Sequence, residues 1–102
     1  MKLIQIFLPL YNSKGVIFKE ALFEKIKAKI TEDFGGLTAY QRSPAIGLWK
    51  EDDKKTVKDD IIIYEVMAEK FEKIYWKKYK TELENVFSQD VIIIRVMNIQ
   101  LV

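Results

Sequence analysis

Residues 34–49 read Phe34-Gly35-Gly36-Leu37-Thr38-Ala39-Tyr40-Gln41-Arg42-Ser43-Pro44-Ala45-Ile46-Gly47-Leu48-Trp49. These sixteen residues hold the only adjacent glycines, one of two prolines, one of two arginines and one of two tryptophans, and no lysine or carboxylate. Gly35-Gly36 supply the backbone freedom of a helix C-cap. Leu37–Arg42 then reads as a short strand, broken at Ser43-Pro44 and resumed over Ala45–Lys50. Proline cannot donate to a ladder, so this is an edge strand with a kink or bulge.

Upstream of that junction, Leu22, Ile26, Ile30 and Phe34 recur every four residues with Phe23 beside them, which predicts a helix from about Phe18 to Phe34. Before it, Leu3–Leu8 alternates as a central strand, Ile4, Ile6 and Leu8 facing one way and Leu3, Gln5 and Phe7 the other. Pro9 ends it, and Tyr11-Asn12-Ser13-Lys14-Gly15 is a turn rather than a phosphate loop.

Downstream, Glu51–Lys58 (EDDKKTVK) reads as a charged hairpin tip and Asp60–Ala68 as a β-branched strand. Helical period returns over Lys70–Phe87, with Phe71, Tyr75, Tyr79, Leu83 and Val86 or Phe87 inward and Trp76 at the margin. Val91–Val102 is a long final strand. The order is β-α-β-β-α-β, which predicts an α+β, ferredoxin-like sandwich: a four-stranded antiparallel sheet with two helices on one face. Right-handed crossovers place the strands in the order 4-1-3-2. Residues 1–102 form one domain.

Composition narrows the chemistry. The chain has neither cysteine nor histidine, which removes disulfides, thiol nucleophiles, imidazole catalysis and the usual zinc sites. No metal or other cofactor is expected. Fifteen of the seventeen basic residues are lysines interleaved with acids and the net charge is +2, so no basic face is left for nucleic acid. The acidic pairs Asp52-Asp53 and Asp59-Asp60 belong to solvated turns. The first apolar run is strand-length, far short of the ~20 residues a membrane span needs, and a cytoplasmic protein is expected.

The uncovered sheet face carries the functional signal. Its predicted residues are Leu3, Gln5 and Phe7, then Ile61, Ile63, Glu65 and Met67, then Val91, Ile93, Arg95, Met97 and Ile99. So apolar a face is expected to be covered, by a homodimer or higher homo-oligomer or by a ligand. Gln5, Glu65 and Arg95 interrupt it on three adjacent strands, with Tyr40 and Arg42 on the fourth. A carboxylate there needs a partner, and Arg42 or Arg95 is expected to supply it.

Three readings follow. In the first, the open face binds a small organic ligand, with Arg42 and Arg95 orienting an anionic group, Gln5, Glu65 and Tyr40 hydrogen-bonding, and Trp49 as an apolar wall. The pocket then lies between the face and the segments Pro9–Gly15 and Ser43–Trp49. In the second, the chain is a cofactor-free enzyme, an isomerase or monooxygenase-like protein with Glu65 as general base. In the third, the chain is a non-catalytic oligomeric subunit and the charged pair only sets its register. The helical aromatics Tyr75, Trp76 and Tyr79 belong to the core rather than to a base-stacking surface.

The motifs Phe34-Gly35-Gly36, Thr38 with Tyr40, Gly47-Leu48-Trp49 and the late Leu83-Glu84, Phe87, Gln89, Ile92 set resemble an uncharacterised family of small bacterial proteins on the ferredoxin-like, dimeric α/β-barrel type of scaffold. That resemblance implies a dimer. The wider scaffold hosts cofactor-free monooxygenases, isomerases and small-molecule binders, so it does not choose among the three readings. Enzymes of that scaffold often place a histidine in the pocket, and this chain has none.

Overall fold

Alternation along the first strand becomes alternation in burial. Ile4, Ile6 and Leu8 are fully buried, while Leu3, Gln5 and Phe7 are half-buried on the opposite face. The computed structural model describes residues 1–42, 49–52, 55–57 and 61–102, with side chains described outside 40–60. Its elements are β1 (Lys2–Pro9), α1 (Glu20–Phe34), β2 (Thr38–Arg42), β3 (Trp49–Asp52), β4 (Lys55–Val57), β5 (Ile61–Ala68), α2 (Lys73–Val86) and β6 (Ile94–Asn98).

The main sheet has the order β2-β5-β1-β6, antiparallel throughout, as the crossover argument requires. Both helices bury their apolar stripes on the face carrying Ile4, Ile6, Tyr64 and Val66. The fold is ferredoxin-like, with α+β composition.

Gly35 ends α1 in the left-handed conformation, φ 79°, and its N–H donates to Thr31 O at 2.8 Å. The second helix ends in the same way without a glycine. Ser88 sits at φ 51°, its N–H reaches Asn85 O at 3.3 Å, and Gln89 N–H reaches Glu84 O at 2.9 Å. Those two bonds are the paired closure of a Schellman motif, with serine where glycine is usual.

Four sequence expectations are corrected. The inward stripe of α2 is Trp76, Tyr79 and Leu83, continued by Phe87, and Val86 is exposed. Tyr79, Leu83 and Phe87 lie inward as the four-residue spacing predicts, Phe71 and Tyr75 pack partly buried against the core, and the change is confined to Trp76, which is inward in place of Tyr75. Trp76 stacks on Phe34, centroids 5.3 Å apart, and Tyr75 takes the margin, its hydroxyl donating to Asp33 at 2.6 Å.

The segment read as a charged tip contains strands: β3 and β4 pair antiparallel in a separate two-stranded ladder with an irregularity between Lys50 and Asp52. The Ser43-Pro44 kink, Asp53 and the Asp59-Asp60 pair lie outside the described residues. The last strand covers only Ile94–Asn98. Val96, on the opposite side of β6 from Arg95 and so expected to face the helices, is 36% exposed. Among the described residues, no helix is long and apolar enough to cross a membrane.

Candidate functional site

Antiparallel register builds one polar row across the sheet. Thr38 lies opposite Glu65, Glu65 opposite Gln5, and Gln5 opposite Arg95, one residue from each of four strands. The sequence brought Gln5, Glu65 and Arg95 to this face. The register aligns them and adds Thr38, which the sequence reading missed although it stands two residues after the glycine pair.

Of the two arginines expected to pair with Glu65, Arg95 does not, and the Arg42 side chain lies outside the described residues. Gln5 Nε2 donates to Glu65 Oε1 at 2.6 Å, and both residues are partly buried. Among the described residues no ion pair joins Glu65 to Arg95. Arg95 is exposed, and its guanidinium carbon stands 4.4 Å from the centroid of the Phe7 ring. Cation–π attraction to an aromatic one strand away competes with reaching two strands to a carboxylate already held by an amide. Gln5 commits its donor to Glu65, and its Oε1 is buried with no hydrogen-bond partner. A buried acceptor left open costs free energy unless something else donates to it.

Beside this row is a depression of about 550 Å³, lined by Leu3, Leu37, Thr38, Glu65 and Met67 and by the turn Phe34-Gly35-Gly36. Its walls are mostly apolar and its one ionisable lining group is Glu65, held from outside by Gln5. A Cβ built on Gly35 or Gly36 meets nothing within 4 Å, so the turn is open toward solvent. The depression has the size range of small-molecule sites. Chemically it offers acceptors, a carboxylate and a threonine hydroxyl, so it suits a donor-bearing molecule better than the anion expected from the arginines.

The pocket was expected at the other end of the strands, between Pro9–Gly15 and Ser43–Trp49. The Pro9–Gly15 segment is instead tied into a tight turn. Asn12 Oδ1 accepts from the N–H groups of Lys14 and Val16, both at 2.9 Å, and Gly15 takes φ 77°. Residues 43–48 lie outside the described residues. Tyr40 and Arg42 lie opposite Ile63 and Ile61 in the ladder, and Trp49 opposite Val57 in the separate hairpin. Their side chains lie outside the described residues. Among the described residues no three His, Cys, Asp or Glu side chains gather as a metal site.

The late motif turns out to be a clamp. Glu84 accepts from Lys80 Nζ and from the N–H of Ile92 at 3.0 Å, which fastens the end of α2 to the lead-in of β6. These bonds hold its carboxyl below the usual carboxylate range, the Lys80 bond contributing most.

No family model matches the chain, and no curated protein matches it. Among solved structures it is similar to a phage SAM lyase in complex with S-methyl-5'-thioadenosine, with a TM-score of 0.60 and 16% identity over 95% of this chain and 80% of that one. At that identity the likeness is one of fold: a small α/β protein with a four-stranded antiparallel sheet and two helices.

Proposed function

We propose that the open sheet face binds a small organic molecule carrying hydrogen-bond donors on an apolar body, and that a nucleoside is the first such molecule to test. The observation that carries this reading is the Gln5–Glu65 pair beside the depression, with Gln5 Oε1 buried and unpartnered. A carboxylate pinned by a neighbour is a preorganised acceptor, the group that recognises ribose hydroxyls in other folds. Leu3, Met67 and Phe34 supply the apolar contact. The similar phage lyase holds a thionucleoside, which supports the same ligand class here.

Exposed Met67, Ile93 and Met97 support a second part of the proposal, that two copies of the chain pair through this face and complete the enclosure. We further assign the chain to the bacterial family that its glycine and tryptophan motifs resemble. A second reading makes Glu65 the general base of a cofactor-free enzyme, supported by the similar protein's being a lyase.

Calorimetric titration with S-methyl-5'-thioadenosine tests the binding reading. Saturable heat in the natural chain, lost in Gly36→Phe and weakened at least tenfold in Glu65→Ala, supports it. Equal heat in Gly36→Phe, or none in any chain, overturns it. Glu65→Gln separates the enzyme reading, which requires retained affinity with lost turnover.

A further inference from the structure

The helix-covered side of the sheet holds a second cavity, open to solvent, on the opposite face from the polar row. It measures about 610 Å³ and lies where α1 crosses β5 and the edge strand β2, lined by Leu10, Phe18, Phe23, Ala39, Ile62 and Tyr64. Its origin is local. Ala39 offers only a methyl group on β2, opposite the bulky Tyr64 of β5. The Phe18 ring is engaged edge-on by Phe87, centroids 4.9 Å apart. Together these leave apolar walls without a side chain to fill the space between them.

Among the described lining residues Tyr64 is the one buried side chain that carries a polar group. The residue is 1% exposed, yet its hydroxyl is buried with no hydrogen-bond partner. A tyrosine hydroxyl in a core ordinarily finds a partner, and leaving it alone costs about 1–3 kcal/mol. The rim carries Lys19, Glu20, Glu24 and Lys27, two charges of each sign, and Lys27 Nζ lies 3.1 Å from Glu24 Oε1. The entrance therefore selects no net charge.

We propose that this cavity is a second ligand site, which takes a neutral, largely apolar molecule with one hydrogen-bond acceptor, and that the Tyr64 hydroxyl donates to that acceptor. Burial, aided by Glu24, pushes the Tyr64 phenol up to about 12, so the donor proton is retained throughout the physiological range. The balanced rim leaves charged molecules without a net attraction, and the apolar walls disfavour sugars.

The test is an amide NMR titration of the full chain with coumarin, a neutral planar molecule with one lactone carbonyl. Saturable shifts centred on Phe18, Phe23, Ala39 and Tyr64 are expected. Tyr64→Phe, which keeps the ring, is expected to weaken binding about fivefold, the effect of one neutral hydrogen bond. Ala39→Leu, at an exposed position of the edge strand, is expected to fill the cavity and abolish binding. Shifts centred on Leu3 and Met67, unchanged affinity in Tyr64→Phe, or no saturable shift would each overturn the assignment.

Discussion

Gln5 and Glu65 face one another across β1 and β5, and the amide donates to the carboxylate at 2.6 Å. The charge on the open face is thus held by a neutral neighbour, and the arginine one strand away rests on Phe7 instead. Removing the amide leaves a half-buried carboxylate without its donor.

Gln5→Leu is accordingly expected to destabilise the chain by about 1–2 kcal/mol, and Gln5→Leu with Glu65→Leu together to recover that loss. Urea unfolding of the two single variants and the double variant measures the coupling. Additive effects would show that the bond contributes nothing.

Tyr64→Phe is expected to raise stability by about 1 kcal/mol at neutral pH, because it removes a buried hydroxyl that has no partner. Alkaline pH sharpens the comparison. Tyr64 and Tyr79 are both raised by burial from 10.0 to about 12 in the folded chain. The unfolded chain loses these protons first, so their contribution is complete below pH 10 and is lost as pH rises through about 12. Denaturant midpoints between pH 9 and 11.5 should fall, and fall less in Tyr64→Phe.

The fold was legible because strand and helix periods are clean in Leu3–Leu8, in Leu22 to Phe34 and in Asp60–Ala68. Topology then followed from the order of elements. Gln5, Glu65 and Arg95 were legible as one face for the same reason, since alternation fixes facing. Partner choice was not: periodicity places Glu65 near both Gln5 and Arg95, and whether an amide or a guanidinium reaches it depends on competition from Phe7. The depression at Phe34–Thr38 forms where a helix end meets a strand start, and no periodicity in the sequence records such a junction. Within the stretch 34–49 the first five residues line the depression, while the side chains of Tyr40, Arg42 and Trp49 lie outside the described residues.

Ser88 carries the left-handed closure of α2 that glycine usually carries. Ser88→Gly relieves that strain at some cost in unfolded-chain entropy, and a net gain of about 0.5–1 kcal/mol is expected. Thermal unfolding measures it, and a loss of stability would mean that the serine side chain contributes more than the strain.

Glu84 sets an acid limit on the α2–β6 clamp. Its carboxyl is held below the ordinary 4.5, so its contribution is complete above that value and is lost as pH falls through the lowered folded one. Glu84→Gln is expected to be less stable at neutral pH and to lose less on acidification. Denaturant midpoints from pH 7 to pH 3 decide this, and parallel profiles would dismiss the clamp.

Methionine methyl NMR tests the open-face site most directly, because the chain has three methionines and only Met67 lines the depression. Titration with S-methyl-5'-thioadenosine is expected to shift the Met67 methyl saturably and furthest, to leave Met1 unmoved, and to have no effect in Gly36→Phe. A Met67 signal that stays fixed while the ligand is taken to millimolar concentration, or that shifts equally in Gly36→Phe, would contradict the assignment.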